Sequence, residues 1–452
     1  MSITRGRVSR FIVQFGAVSM PRRHGARLLS ACALLALCSQ VLAQQADSAH
    51  MTLDRAVQTA LAANPYLAAV TARAEALQAV PAQARTLPDP VLGLNAMNLP
   101  VDSFNLRQEP MTQLQLTFSQ MIPYPGKRQL MADAAGYEAR AGLARAEDAR
   151  LELAGQVRAA WWRLFQHDRA LEIIGQNTRL MRDFIQIAQA RYRVGDGLQQ
   201  DVLLAQLELS RLLERELRLN GMRARAETAL GALLDGPANG SIVLPPEPDN
   251  IRLPDIPADA ELVRAAVADR PALGAQQALT GAARARLSLA ELNLRPNLMV
   301  GAGYGLRQGD DPFRGRERPD FLSVMFGVTV PLYAGSKQRK AIEQQSHEVA
   351  RQEFAYEDAL RSIQAAISGH RADYEAAREQ VTLLETAIIP QAQQTAASML
   401  AGYRVNEVDF LNVVNSQITL YNSQINYWEA LSTAKAALAM LAASAGMEVL
   451  YE

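Results

Sequence analysis

The chain is 452 residues long, with 46 basic and 46 acidic side chains, about half its residues hydrophobic and only two cysteines. Zero formal net charge leaves no basic excess with which to hold nucleic acid. Beyond the first 43 residues no apolar run reaches eighteen, so no transmembrane helix is encoded there, and any membrane crossing must use strands.

The first 43 residues hold six arginines and no acid. Arg22, Arg23 and Arg27 precede the apolar run from Leu28 to Leu37, and Val41-Leu42-Ala43 supplies the cleavage positions before Gln44. That order is a secretory signal peptide over 1–43, and the stretch from Met20 to Ala43 alone makes a complete one. Leu29-Ser30-Ala31-Cys32 has the outline of a lipidation box, but almost no apolar stretch precedes it. Both cysteines, Cys32 and Cys38, lie in the signal, so the mature chain offers neither a disulfide nor a thiolate metal site. Losing six arginines leaves 40 bases against 46 acids, a net charge of about −6.

The mature chain then says nearly the same thing twice. The first copy, 44–236, reads helical segment, Asn64-Pro65, helical segment, Pro88-Asp89-Pro90, a strand pair over about 91–121, and Pro123-Tyr124-Pro125-Gly126-Lys127-Arg128. A proline-free stretch follows, rich in Ala, Leu, Arg, Glu and Gln, residues that lose little side-chain freedom in a helix. The break near Val194-Gly195-Asp196-Gly197 makes it a helix hairpin over 127–236. Its arms are roughly 95 Å and 55 Å long at 1.5 Å per residue. A proline-rich connector covers 237–257.

The second copy, 258–452, gives Arg270-Pro271, Arg295-Pro296, a strand pair over about 297–331, Pro331-Leu332-Tyr333-Ala334-Gly335, a helix hairpin over 336–445 and a C-terminal tail. The offset between copies drifts between about 206 and 211, as small insertions after a duplication would produce. Pro390 inside the incoming helix is expected to bend it. Asn406 stands where the first copy has Gly195, and asparagine is the non-glycine residue best tolerated in a left-handed turn. Two copies disfavour an open solenoid, and helices this long imply a coiled-coil-like rod.

The strands alternate with period two. Leu114, Leu116 and Phe118 share one face opposite Gln113, Gln115, Thr117 and Ser119. Leu298, Val300, Ala302, Tyr304 and Leu306 oppose Asn297, Met299, Gly301, Gly303 and Gly305, and Leu322 to Val330 oppose Ser323, Met325, Gly327 and Thr329. One apolar face and one polar or small face suit strands with lipid outside and water inside, and also a half-buried soluble sheet. Four strands cannot close a barrel, and an open edge is not viable in lipid. The chain would then borrow strands from copies of itself, three copies supplying twelve. The polar loops 100–110 and 307–320 suit an external rim.

With these features in order, the chain resembles the TolC family of outer-membrane efflux proteins over almost its whole mature length. The supporting residues are Asn64-Pro65, the Pro123 to Arg128 run, Ala190-Arg191-Tyr192-Arg193-Val194-Gly195, Asp201-Val202-Leu203, and Gly402-Tyr403-Arg404-Val405 leading to Leu420-Tyr421-Asn422. The resemblance implies an α+β membrane protein, a homotrimer in the outer membrane with a twelve-stranded barrel and a long α-helical tunnel through the periplasm. It implies a passive, non-enzymatic conduit without a cofactor, opened when an inner-membrane pump and its periplasmic adaptor engage. The Pro-Gly-Lys-Arg stretch is similar to members serving heavy-metal pumps of the resistance–nodulation–division type. Heavy-metal cations are therefore the expected cargo, with drug efflux and type I protein secretion as alternatives.

The resemblance also implies residue roles. Val194, Gly195, Asp196, Val405, Asn406 and Glu407 match the tips that meet the adaptor. Tyr403 falls on the family's gate tyrosine. The carboxylates that ring the narrowest opening fall on Asn412 and Asn415, which weakens a charged ring, and Asp409, one turn earlier, could substitute. Asp201 and Asp409 are read as matching helix N-terminal acids favoured by the dipole, and Leu204 is set against Asn412. Gln113, Gln115, Thr117, Met299, Ser323 and Met325 are expected on the lumen face. A thioether can bind Cu(I) or Ag(I), but methionine as filler between strands is the reading adopted for Met299 and Met325. His167, His347 and His370 are expected as solvated helix histidines, and Trp161, Trp162 and Trp428 as packing anchors. A non-conducting periplasmic scaffold is the remote alternative, and paired strands with polar faces argue against it.

Overall fold

Proline and asparagine set the first helix boundaries of the computed structural model, which describes residues 50–236, 240–248, 250–311 and 313–450. The expected signal peptide, both cysteines, positions 237–239 and 249 of the connector, and Pro312 lie outside the described residues. Helices α1 (Leu53–Ala63), α2 (Pro65–Gln78) and α3 (Val80–Arg85) come first. Asn64 caps α2 by accepting the Leu67 N–H at 3.1 Å, and Pro65 occupies the first helical position, where its missing N–H costs nothing.

Strands β1 (Val91–Met97) and β2 (Gln113–Ile122) lead into the helix pair α4 (Lys127–Arg193) and α5 (Gln199–Leu233). The second half runs α6 (Asp259–Asp269), α7 (Pro271–Leu292), β3 (Asn297–Leu306) and β4 (Phe321–Thr329). Helix α8 (Gln338–Leu383), a π turn (Leu384–Ile388), α9 (Ile389–Arg404) and α10 (Phe410–Ala445) complete it. Pro390 interrupts the helix through that π turn: with no N–H to give at Pro390, the ladder widens and Ile389 donates to Leu384, five residues back.

The four strands form one antiparallel sheet in the order β1-β2-β3-β4. Thr117 pairs with Gly303 and Gly303 with Ser323, so the polar and small residues do share one face. The opposite face presents Leu116, Leu322, Phe326 and Val328, all exposed.

Helix α4 packs against α5, α7 and α10, while α8 packs against α7 and α10. Trp161 stacks on Phe165 at 5.3 Å and Trp428 meets Phe165 edge-on at 5.7 Å, so the tryptophans anchor helix packing as expected. His167 does not follow expectation. It is one of the buried residues of α4, and burial lowers its pKa.

The halves tie their hairpins off in equivalent ways. Asn64 donates to the Leu233 carbonyl at 3.0 Å, and Arg270, before Pro271, donates to the Ser444 carbonyl at 3.0 Å. Each helix-start motif thus satisfies a carbonyl at the far end of its own copy's hairpin, where helix carbonyls lack partners.

Candidate functional site

The two hairpin tips have the same backbone. After α4, Asp196 N–H donates to Arg191 O at 2.9 Å and Gly195 N–H to Tyr192 O at 3.1 Å, with Gly195 at φ +81°. After α9, Glu407 N–H donates to Gly402 O at 3.0 Å and Asn406 N–H to Tyr403 O at 3.3 Å, with Asn406 at φ +64°. Both are left-handed C-terminal caps that satisfy the last helix carbonyls. The left-handed asparagine was legible in advance.

Counting on from the turns corrects one correspondence. Leu198 precedes the first residue of α5, and Asp409 precedes the first residue of α10. Asp201 therefore stands opposite Asn412 and not Asp409, and Leu204 opposite Asn415 and not Asn412. Matching acid to acid slips the register by three residues, whereas the helices restart from their caps.

Between the tips, Arg191 of α4 donates to the main-chain carbonyl of Tyr403 at 3.0 Å, and its guanidinium carbon lies 4.7 Å from the centre of the Tyr403 ring. The same guanidinium pairs with Asp196 at 3.6 Å. The Tyr403 ring meets Phe410 at 5.3 Å, and Phe410 meets Phe184 at 6.1 Å. These groups line a cavity of about 220 Å³. Tyr403 is 7% exposed, whereas its counterpart Tyr192 is 49% exposed. The Tyr403 hydroxyl is buried with no hydrogen-bond partner among the described residues; burial pushes its pKa up, against the nearby Arg191 charge.

The remaining gate candidates lie on one helix face. Asp409, Asn412 and Asn415 are exposed at three-residue spacing, while Phe410, Val413 and Val414 turn inward. Val194, Asp196, Val405, Asn406 and Glu407 are exposed at the tips. Burial raises the Asp201 carboxyl above the usual aspartate value, helped by the charge of Asp409. The two hairpins thus bring Arg191, Asp201, Tyr403 and Asp409 into one electrostatic group.

At the sheet, Gln113 packs over Gly305 and Gln115 over Gly303, where a Cβ would collide with either glutamine. Gln115 also reaches Ser323 Oγ at 3.5 Å, and Thr117 donates to Gly93 O at 3.2 Å. The methyl groups of Met299 and Met325 cover Gly327 and Gly301. All six lumen candidates therefore share the polar face.

Three participants, Arg191, Glu208 and Tyr421, carry no role assigned from the sequence, although the family motifs include Arg191 and Tyr421. Arg191 falls opposite Gly402 in the second copy, an asymmetry that could have signalled it. Glu208 and Tyr421 form a buried bridge between α5 and α10, the Tyr421 hydroxyl donating to Glu208 at 3.1 Å. Burial and the Glu208 charge push the Tyr421 pKa up to about 12.

Residues 56–236 and 262–447 match the family described as Outer membrane efflux protein. The chain is 30% identical to Protein CyaE of Bordetella pertussis over 53% of each chain. It is 25% identical to Outer membrane efflux protein BepC of Brucella suis, over 60% of this chain and 58% of that one. The aligned region thus spans somewhat more than half the length of these relatives. In structure it resembles the outer membrane protein VceC of Vibrio cholerae, with a TM-score of 0.72 at 19% identity, covering 87% of this chain and 96% of that one.

Proposed function

Because the chain belongs to the outer membrane efflux protein family, we propose that it is the channel component of a tripartite efflux system, a passive homotrimeric conduit from periplasm to exterior. It resides in the outer membrane with its helices in the periplasm, and the family consists of non-enzymatic conduits. The observation that carries the reading is the sheet: one exposed apolar face, one polar face, and outer strands that find no further partner among the described residues. Such a sheet is stable in lipid only when copies close it into a barrel, and three copies make twelve strands.

In this reading the hairpins form the tunnel, and the group around Arg191 and Tyr403 holds its inner end. An adaptor and an inner-membrane pump engage the exposed tips at Val194–Asp196 and Val405–Glu407. The pump sets the cargo. Heavy-metal cations are the cargo we assign, on the resemblance around Pro125-Gly126-Lys127-Arg128.

Outer-membrane fractions run on a gel with and without heating should yield a heat-modifiable oligomer. Monomer confined to the soluble periplasmic fraction would overturn the conduit. For the gate, Tyr403→Ala and Asn412→Ala are each expected to raise single-channel conductance in a planar bilayer, and unchanged conductance in both removes this assignment of the constriction.

A further inference from the structure

The corner where the sheet passes into the helices contains a cavity of about 370 Å³. Lys127, Arg295 and Lys337 line it, and no lining residue is a carboxylate. Lys127 is only 5% exposed. Its ammonium donates to the Arg295 carbonyl and to Asn297 Oδ1, both at 2.8 Å, which uses two of its three N–H bonds. A buried ammonium ordinarily keeps a counter-charge, because desolvation penalises an unpaired ion. Here the other charged groups on the wall are two more cations, both exposed.

The helix ends add to this field. Helices α4 and α8 both begin at the cavity, and neither has an acid in its first turn. They open instead with Lys127-Arg128 and Gln338-Arg339-Lys340, cations placed against the positive end of the helix dipole. Lys340 is answered by Glu343 at 2.6 Å. Among the described residues, no ion pair does the same for Lys127, Arg295 or Lys337.

We infer that this corner cavity binds a phosphate-type anion, with Lys127 beneath it and Arg295 and Lys337 closing over it. A soluble phosphate and a phospholipid headgroup present the same chemistry. Asn297 and Thr329, which also line the cavity, stand on the polar face of the sheet with Met299, Gly327 and Met325. That placement favours the soluble source. A bound anion gives the buried ammonium its counter-charge and cross-links the starts of α4 and α8 to the end of α7.

The test uses the full chain purified in detergent, titrated with inorganic phosphate by calorimetry and then melted in phosphate or in chloride of equal ionic strength. Saturable binding and a higher melting midpoint in phosphate are expected. Both should vanish in the Arg295→Gln/Lys337→Gln double variant, whose exposed side chains can change without unfolding the corner. Lys127→Met, which keeps the buried stem, should weaken binding more than tenfold. Absence of saturable binding to the unaltered chain overturns the inference, and so does undiminished binding to the double variant. A second arm reconstitutes the protein in phosphatidylcholine vesicles with or without phosphatidylglycerol. Stabilisation by phosphatidylglycerol that inorganic phosphate cannot displace would give the cavity to a lipid and overturn the soluble source.

Discussion

Arg191 grips the main chain of Tyr403: the guanidinium donates to the carbonyl at 3.0 Å, while the hydroxyl is buried with no hydrogen-bond partner among the described residues. Replacing Arg191 therefore removes the inter-hairpin bond, the ring contact and the Asp196 pair together. A hydrogen bond from a charged donor contributes about 1.5–3 kcal/mol, and the exposed ion pair adds little. Arg191→Met should raise the open probability in a planar bilayer roughly tenfold, since a tenfold shift needs only ~1.4 kcal/mol. Tyr403→Phe should leave conductance unchanged. A silent Arg191→Met would mean that other contacts hold the tip.

The tip should also tighten in acid. Burial, then the Asp409 charge, raises the folded Asp201 pKa above its ordinary 3.8. A raised carboxyl makes the folded tip most favourable below that ordinary value, and the advantage is lost as pH rises through the folded pKa. Conductance is expected to fall as the pH is lowered from neutral through this window. Asp201→Asn should conduct at neutral pH like the unaltered channel in acid and lose the response. A pH response that survives in Asp201→Asn would assign the titration to another group.

Lys435 predicts an alkaline effect on stability. Burial lowers its pKa from 10.5 to about 8, and its ammonium donates to the Arg252 carbonyl at 2.6 Å. For a cation with a depressed folded pKa, the unfolded chain binds more protons between those values, so stability rises with pH across that range. The thermal midpoint in detergent should climb from about pH 8 towards 10.5, and Lys435→Met should flatten the climb. Near-ultraviolet circular dichroism can follow it, because Lys435 lies 5.6 Å from the Trp162 ring.

Gly195 and Asn406 offer a paired test of the turns. A Cβ at Gly195 meets nothing within 4 Å, so Gly195→Ala isolates the backbone cost of φ +81°, about 1 kcal/mol. Asn406→Gly removes a side chain from a conformation glycine prefers and should be nearly neutral. Hydrogen exchange of the Asp196 and Glu407 amides should show faster opening in the first variant only. Equal rates in both would mean that helix packing, and not the cap, controls the tips.

Much of this was legible in the sequence because local chemistry forces it. Period-two strands between prolines identify the sheet, and an asparagine aligned with Gly195 identifies a left-handed turn. What was hidden depends on partners with no side-chain signature. The acceptor of Arg191 is a main-chain carbonyl, which any residue could supply. The burial of His167 depends on which side of a 67-residue helix meets its neighbours. The opposition of Asp201 and Asn412 needs the helix caps, since the drifting offset lets like charges be matched by eye. Pro390 announced a break, but not that a π turn would absorb it.

If copies close the sheet as proposed, the outer ladders of β1 and β4, which find no partner among the described residues, make membrane insertion a collective event. A single sheet has no resting place: water meets its apolar face, and lipid meets its unpaired amides. The rate of insertion should therefore depend steeply on how many chains arrive together. In the proposed trimer one chain with a blocked edge would incapacitate every ring it joins, so a defective gene copy should act dominantly. Dosage then matters to this protein before any cargo does.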